Sequence, residues 1–306
     1  KYQMIVTTDG ALKNDIEHLM KESFTYCILD ESQAIKNPDT GNAKAARLIK
    51  AQHRIAMSGT PIENHLGELL SQFQFLNPAM FNQSRFLKKA AQNPGNINSE
   101  KQEELAKALR PFILRRRKEQ VAKDLPEKIE QVLYCELGEE QRKHYDELKE
   151  YYQKNLLDDK EKEADEIYES SNIEMMEALL RLRQASCHPA LINEKFKETP
   201  SIKCKIVLEK VRELAEEGRK VLLFSQFTSF LKILAKDIDK MGIQHTYLDG
   251  QTKDRQACVE EFQNDPNCKV FLISLKAGGV GLNLTAAEYV FLLDPWWNPA
   301  IEAQAI

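Results

Sequence analysis

Six short apolar runs, each stopping abruptly at polar residues, constrain this chain more than any other feature. Phe24–Leu29 stops at Asp30, and Arg54–Met57 stops at Ser58-Gly59-Thr60-Pro61. Lys220–Phe224, His245–Leu248, Lys269–Ile273 and Tyr289–Leu293 follow the same style. Short runs rich in Val, Ile, Leu and Phe suit parallel strands covered on both faces. Patterns of helical spacing separate them, at about 63–75, 202–217, 228–240 and 252–263. Strand–helix alternation of this kind predicts a doubly wound α/β fold. Ligands of such folds sit outside the carboxyl ends of the strands, where the polar residues after each run fall.

The middle of the chain reads differently. Residues 91–99 suit a loop and Lys101–Leu109 a helix. After Gly138, Glu139–Leu157 repeats Tyr145, Leu148, Tyr152 and Leu156 at helical spacing, with acids at its start that favour the helix dipole. Lys154–Ser171 is highly charged and reads as a solvated helix end or a mobile insertion, and Ile173–Ser186 resumes a helix. The expected division is a first α/β lobe over 1–118, a connection and helical insertion over 119–187, and a second lobe over 188–306.

Charge and composition exclude several classes. The 306 residues carry a net charge of −4, so bulk charge does not make this chain a nucleic-acid binder. The charge is uneven: residues 136–177 hold fifteen acids against six Lys and Arg, a local −9, which leaves +5 on the other 264. Within those, Arg110, Arg115, Arg116, Arg117 and Lys118 form a tight basic cluster. No apolar run reaches the roughly 20 residues of a membrane span, and the first residues do not read as a signal peptide. The six cysteines are scattered without a Cys-x-x-Cys pair, which reads as reduced, buried thiols, and adjacent Cys187-His188 reads as structural.

Three segments carry chemistry. Asp30-Glu31 delivers two carboxylates at a strand end: one can hold Mg²⁺ through water, its neighbour can polarise an attacking water. Alone, such a pair is more often a surface turn. Ser58-Gly59-Thr60-Pro61 places two hydroxyls in a tight turn after the next run. Ser274-Leu275-Lys276-Ala277-Gly278-Gly279-Val280-Gly281-Leu282-Asn283-Leu284 is a glycine loop whose backbone can approach a phosphate, or a plain flexible turn.

In order and spacing, these segments resemble the Swi/Snf family of DNA-translocating ATPases, within the second helicase superfamily. Val6-Thr7-Thr8 with Leu12-Lys13-Asn14-Asp15 is similar to a first-lobe DNA-contact motif. Asp30-Glu31-Ser32-Gln33 resembles the Walker B box, and Ser58 to Asn64 with Glu68-Leu69 the third motif. Pro111–Arg116 and Leu125–Lys128 resemble the connection between lobes, and Leu182-Arg183-Gln184 with Cys187-His188-Pro189 the opening of the second lobe. Val221–Phe227, then Leu248-Asp249-Gly250 with Arg255 and Phe262, then the glycine loop with Asp294–Pro299, follow in family order.

The resemblance implies two RecA-like lobes with parallel sheets, a helical insertion between or on them, and a DNA-dependent ATP hydrolase that moves on double-stranded DNA and remodels its protein complexes. ATP and Mg²⁺ are the implied cofactors, duplex DNA and DNA-bound proteins the implied partners. Asp30 would organise Mg²⁺, Glu31 would be the base for water, and Gln33 would couple the nucleotide to the other lobe. Ser58, Gly59 and Thr60 would link hydrolysis to movement, and Gly279, Gly281, Asn283 and Gln304 would lie near the nucleotide. Thr7, Thr8, Gln226, Ser274 and Lys276 would face DNA. Trp296 and Trp297 suggest base stacking or packing, with packing expected for at least one.

Departures from the family pattern set further expectations. No Gly-x-x-x-x-Gly-Lys-Ser/Thr occurs in the 306 residues, so the chain reads as starting after the phosphate loop. Glu302–Ile306 reads as the opening of motif six, stopping before its arginines. These residues by themselves are therefore expected to be inactive. Leu275 stands where many relatives carry Thr. The alternatives are a non-catalytic DNA-binding or scaffold module of the same fold, and a translocase on RNA, which the lobe connection and Cys187-His188-Pro189 disfavour. The expected location is intracellular: cytoplasm or nucleoid in a bacterium, nucleus in a eukaryote.

Overall fold

Two parallel sheets organise the chain, one in each of two units, Lys1–Glu130 and Gln131–Ile306. The computed structural model describes residues 3–59, 66–83, 99–116, 118–121, 124, 127–158, 164–278, 281–298 and 302. Thr60, Gly279 and Gln304, and residues 91–98 of the loop expected over 91–99, lie outside them, while Ser99 opens a helix.

In the first unit α1 (Asp9–Leu19) precedes β1 (Ser23–Leu29). A 3-10 turn at Ser32–Ile35 and α2 (Gly41–Leu48) lead to β2 (Lys50–Ala56), which pairs parallel to β1 from Ser23–Lys50 to Leu29–Ala56. Helix α3 (Leu66–Leu76) and α4 (Ser99–Leu109) follow. Alanines let α2 pack closely: Ala43, Ala45 and Ala46 are buried with Leu12, Ile35, Ile49 and Phe75. Thr8 and Thr40 cap α1 and α2, each hydroxyl accepting from a backbone N–H three residues on. Helix α2 does not show in the sequence as an apolar stripe, because small alanines and its cap define it, whereas Leu12, Ile16 and Leu19 give α1 one at helical spacing.

Cys27 and Leu29 pack against this cluster, but Tyr26, Ile28 and Ile55 are 59%, 56% and 42% exposed. Covering on both faces, expected for every apolar run, therefore fails for β1 and β2. Among the described residues they pair only with each other, and their helices pack on one face.

The second unit meets that expectation. Its strands are β3 (Val221–Ser225), β4 (His245–Leu248), β5 (Val270–Ser274) and β6 (Tyr289–Leu292), all parallel in the order β4-β5-β3-β6. Every residue of β3 and β5 is buried. Val221, Leu223, Val270 and Leu272 pack on one face against α7 (Ile202–Glu216) and α8 (Thr228–Lys240). Leu222, Phe224, Phe271 and Ile273 pack on the other against Phe262 of α9 (Arg255–Asn264), Leu275 and Ala277. The chain leaves β3 toward β4 and β5, then returns past β3 to β6, a reversal of strand order that opens a crevice at the carboxyl ends.

Helices α5 (Glu139–Asp158) and α6 (Ala164–Cys187) belong to this unit. The side-chain amide of Gln141 donates to the Ala185 and Ser186 carbonyls at 3.0 and 3.3 Å, and Thr199 donates to Glu140 at 3.3 Å. The helical segment expected as part of a separate connection is thus tied to the second sheet's side of the chain. Helix α6 also starts nine residues before the expected Ile173, inside the charged stretch.

Cys187 and His188 end α6 as packing and capping groups. Cys187 is fully buried, which pushes its thiol up to about 11. His188 Nδ1 accepts from Ala190 N at 3.1 Å and caps the Pro189–Leu191 turn, so the neutral imidazole is the form that fits. Burial lowers the His188 pKa, opposed by Asp237. A histidine held neutral loses stability as pH falls: the unfolded chain binds the proton from about pH 6.5 downward while the folded one resists it. Thermal melts at pH 7 and pH 5 are expected to show a smaller acid loss for His188→Asn, whose amide oxygen keeps the cap acceptor and does not titrate.

Candidate functional site

The first cluster grows directly from the β1–β2 pairing. Beyond the strand ends the ladder continues: Met57 N donates to Leu29 O and Ser32 N to Met57 O, both at 2.8 Å. The Asp30–Gln33 and Met57–Gly59 loops therefore run side by side. Gln33 Nε2 donates to Glu31 Oε2 at 2.6 Å, and Ser58 Oγ donates to Gln33 Oε1 at 2.9 Å. The amide orientation is forced, because a carboxylate only accepts; Gln33 must present its nitrogen to Glu31 and its oxygen to Ser58. The structure thus brings Glu31, Gln33 and Ser58 into one hydrogen-bonded line.

Glu31 stands at φ +48°, the left-handed region, alone in this among the described non-glycine residues. Its N–H donates to Asp30 Oδ1 at 2.9 Å, which pins the turn. Asp30 is exposed, and its second oxygen makes no hydrogen bond among the described residues. An exposed carboxylate at a strand's carboxyl end fits Mg²⁺, which takes one or two carboxylates and keeps several waters. Gly59 is exposed beside Ser58. Thr7 and Thr8 are exposed just before α1; the Thr8 hydroxyl accepts from Ala11 N at 3.3 Å.

The second cluster lies at the carboxyl ends of β3, β5 and β6. Lys276 is exposed, whereas Ser274 is 4% exposed and its Oγ accepts from Ala277 N at 3.3 Å. Leu275 is 3% exposed within the core, which accounts for an apolar residue there. Gly278 must lack a side chain: a Cβ would stand 2.5 Å from the Phe224 ring. Gly281 adopts φ +57°, and Gly281 and Asn283 are exposed.

Gln226 meets Asp294, a residue outside the expected set. Asp294 is 2% exposed, accepts from Gln226 N at 3.2 Å, and has its pKa raised by burial, against hydrogen bonds from Ser225 and Gln226. Gln226 Nε2 and Asp294 Oδ1 are buried without a partner among the described residues. Arg183 was also outside that set. It donates to Pro295 O, and its guanidinium carbon lies 5.8 Å from the Trp296 ring centre and 5.0 Å from that of Trp297. Trp296 packs against the core, as expected for at least one tryptophan, while Trp297 is 59% exposed. Met176, Leu180, Arg183, Gln226 and both tryptophans line a cavity of about 420 Å³. The signal for Asp294 was available: it follows an apolar run as Asp30 does. Arg183 had no comparable signal, because its ring contacts span more than a hundred residues of sequence.

Parallel sheets whose carboxyl edges carry a carboxylate pair in one unit and a glycine loop in the other define a helicase-like motor core. Residues 1–191 match the SNF2-related domain and residues 202–306 the helicase conserved C-terminal domain, so the chain belongs to the SNF2 family. It is similar to the uncharacterized ATP-dependent helicase MG018 of Mycoplasma genitalium, 36% identical over 100% of this chain and 29% of that protein. It is similar also to the TATA-binding protein-associated factor MOT1 of Saccharomyces cerevisiae, 33% identical over 99% of this chain and 19% of that protein. Among solved structures, the Sulfolobus solfataricus SWI2/SNF2 ATPase core in complex with dsDNA matches at TM-score 0.51 and 34% identity, over 97% of this chain and 63% of that one. The fold is that of its RecA-like lobes. The chain thus spans less than a third of the length of these two curated relatives.

The left-handed Glu31 yields a stability test independent of activity. A non-glycine residue there costs about 1 kcal/mol relative to the right-handed region, and glycine escapes that cost. Glu31→Gly and Glu31→Ala lose the same carboxylate. Chemical denaturation is expected to find the Gly variant the more stable by about 1 kcal/mol.

Proposed function

We propose that this chain is part of an ATP-dependent translocase on double-stranded DNA, which couples ATP hydrolysis to movement and to the remodelling of protein–DNA complexes. The observation that carries the reading is the line from Ser58 through Gln33 to Glu31, joining two strand-end loops at one sheet edge. Membership of the SNF2 family and the match to a DNA-bound ATPase core support it. Among the described residues no helix is long and apolar enough to cross a membrane. Acting on DNA implies work inside the cell, in the cytoplasm or nucleoid of a bacterium or the nucleus of a eukaryote.

Glu31 is the general base. Gln33 holds one carboxylate oxygen, which orients the group and leaves the other to take a proton from the attacking water. Asp30 would hold Mg²⁺ through water, and the ion would supply neutralising charge for the phosphate oxygens of ATP. Ser58 senses the state of Glu31 through Gln33, because any shift of the carboxylate must move an amide whose other end is fixed to the hydroxyl. Gly59 continues that turn, and the family resemblance assigns Thr60 the same coupling role. Gly281 and Asn283 act toward the nucleotide from the second lobe, and the family resemblance assigns Gly279 and Gln304 the same role. Lys276 supplies a positive charge to a DNA phosphate, with Thr7, Thr8, Gln226 and Ser274 as its neighbours in role; Ser274 acts by shaping the turn that carries Lys276.

A translocase must bind every sequence it crosses, so it holds phosphates and ignores base edges. Titrating Lys276→Ala and the unmodified full-length protein with two unrelated duplexes at several salt concentrations is expected to show equal weakening on both. The salt slope should fall by about one. A loss confined to one duplex overturns phosphate recognition.

The base assignment is tested by Glu31→Gln in the full-length protein. It is expected to bind ATP almost normally and to lose turnover by at least about a hundredfold, the usual worth of a general base. Near-normal DNA-stimulated hydrolysis by this variant overturns the assignment. Failure of the unmodified full-length protein to hydrolyse ATP returns the alternative, a DNA-binding scaffold of the same fold.

A further inference from the structure

The glycine loop should be difficult to hold still. Glycine lowers the steric restriction on the backbone, and residues 281–285 alternate between exposed and half-buried without regular structure. Helix α9 fastens this loop at both ends. From its first turn, Arg255 Nη2 donates to Ala277 O at 2.8 Å. From its last turn, Gln263 Nε2 donates to Asn283 O at 2.8 Å and to Thr285 Oγ1 at 3.2 Å. Gln263 Oε1 accepts from Ala286 N at 2.8 Å. Under these bonds, Phe262 is fully buried, and Leu282, Leu284 and Ala286 pack on the same apolar cluster.

The brace is itself anchored. Lys220, the residue before β3, donates to Phe262 O and, at 2.8 Å, to Asp265 O. These carbonyls belong to the end of α9 and the residue after it, where helical partners run out. The Lys220 carbonyl in turn accepts from Glu288 N at 3.1 Å, just past the loop. Sheet, helix and loop are therefore closed into one hydrogen-bonded frame.

We propose that Gln263 is the positioning residue of the glycine loop, with Arg255 as its counterpart at the loop's other end. The carboxamide is the required group. Asn283 O can only accept and Ala286 N can only donate, so the side chain must offer both functions and its orientation is forced. A carboxylate at 263 offers only acceptors and repels the Asn283 carbonyl; a leucine offers neither function. Gln263 touches no reacting atom. It acts by holding Gly281 and Asn283 where the proposed nucleotide site needs them, and this functional half rests on the reading given under Proposed function.

The test uses the full-length protein with Gln263→Leu, Gln263→Glu and Thr285→Val. Hydrogen exchange reads the loop, and DNA-stimulated ATP turnover reads the site. In both Gln263 variants the amides of residues 282–287 are expected to exchange about tenfold faster, with the rest of the second unit unchanged. The ATP concentration for half-maximal rate should rise about tenfold while kcat falls less than about threefold, because binding geometry and not the base is disturbed. Thr285→Val, which removes one bond of three, should fall between. Unchanged exchange in the loop, or faster exchange throughout the unit, overturns the brace. A loosened loop with unchanged ATP kinetics instead overturns the assignment of the loop to the nucleotide.

Discussion

The parallel pairing of β1 and β2, carried two hydrogen bonds past the strand ends, is the interaction on which the first site depends. Parallel strands share a direction, so their carboxyl ends meet at one edge. Continuation of the ladder through Met57 then holds two loops at strand spacing. At that spacing a glutamine spans from a carboxylate on its own loop to a hydroxyl on the next. Glu31, Gln33 and Ser58 are joined because their backbones are joined first. The left-handed turn at Glu31 concentrates strain at the same point, which is common where a backbone presents a functional group.

The second unit solves a similar problem with different materials. Its central strands are buried on both faces, so the sheet is a rigid base from which Ser225, Ser274 and Asp294 emerge at one edge. The glycine loop gains close approach to the Phe224 ring at Gly278 and loses intrinsic order in exchange. Order is restored from outside, by α9 and by Lys220. The division is economical in chemical terms. Backbone freedom comes from residues without side chains, and placement comes from two long polar side chains on a helix that the core already fixes.

Several hydroxyls in the candidate set do two things. Thr8 and Ser274 cap the turns that follow them, and a capping oxygen contributes about 1 kcal/mol to local order. Such residues act by ordering the segment that follows them: Lys276 sits in the turn that Ser274 closes. The exposed face of β1 and β2 makes the complementary point: apolar residues such as Tyr26 and Ile28 look like core in the sequence, yet only their neighbours Cys27 and Leu29 are packed.

The sequence by itself determined the local elements and the chemistry at their ends. His245–Leu248 forms the strand read from its residues, Thr228–Lys240 the helix read from its spacing, and the other runs agree to within a few positions. The exception, β2, starts four residues before Arg54, because Lys50-Ala51-Gln52-His53 carries no apolar run and is a strand through its pairing with β1, where the Tyr26 and His53 rings also meet at 4.9 Å. The Asp30-Glu31 pair and the glycine loop were legible because one short stretch holds all their residues. Tertiary structure alone decided what needs two distant stretches to meet. It made Gln33 the link between Glu31 and Ser58, matched Gln226 with Asp294, set Arg183 beside two tryptophans, and fastened Gln263 to a loop twenty residues on. Side-chain hydrogen bonds and ring contacts act over a few ångströms of space, and only the sheet register and core packing bring such partners that close.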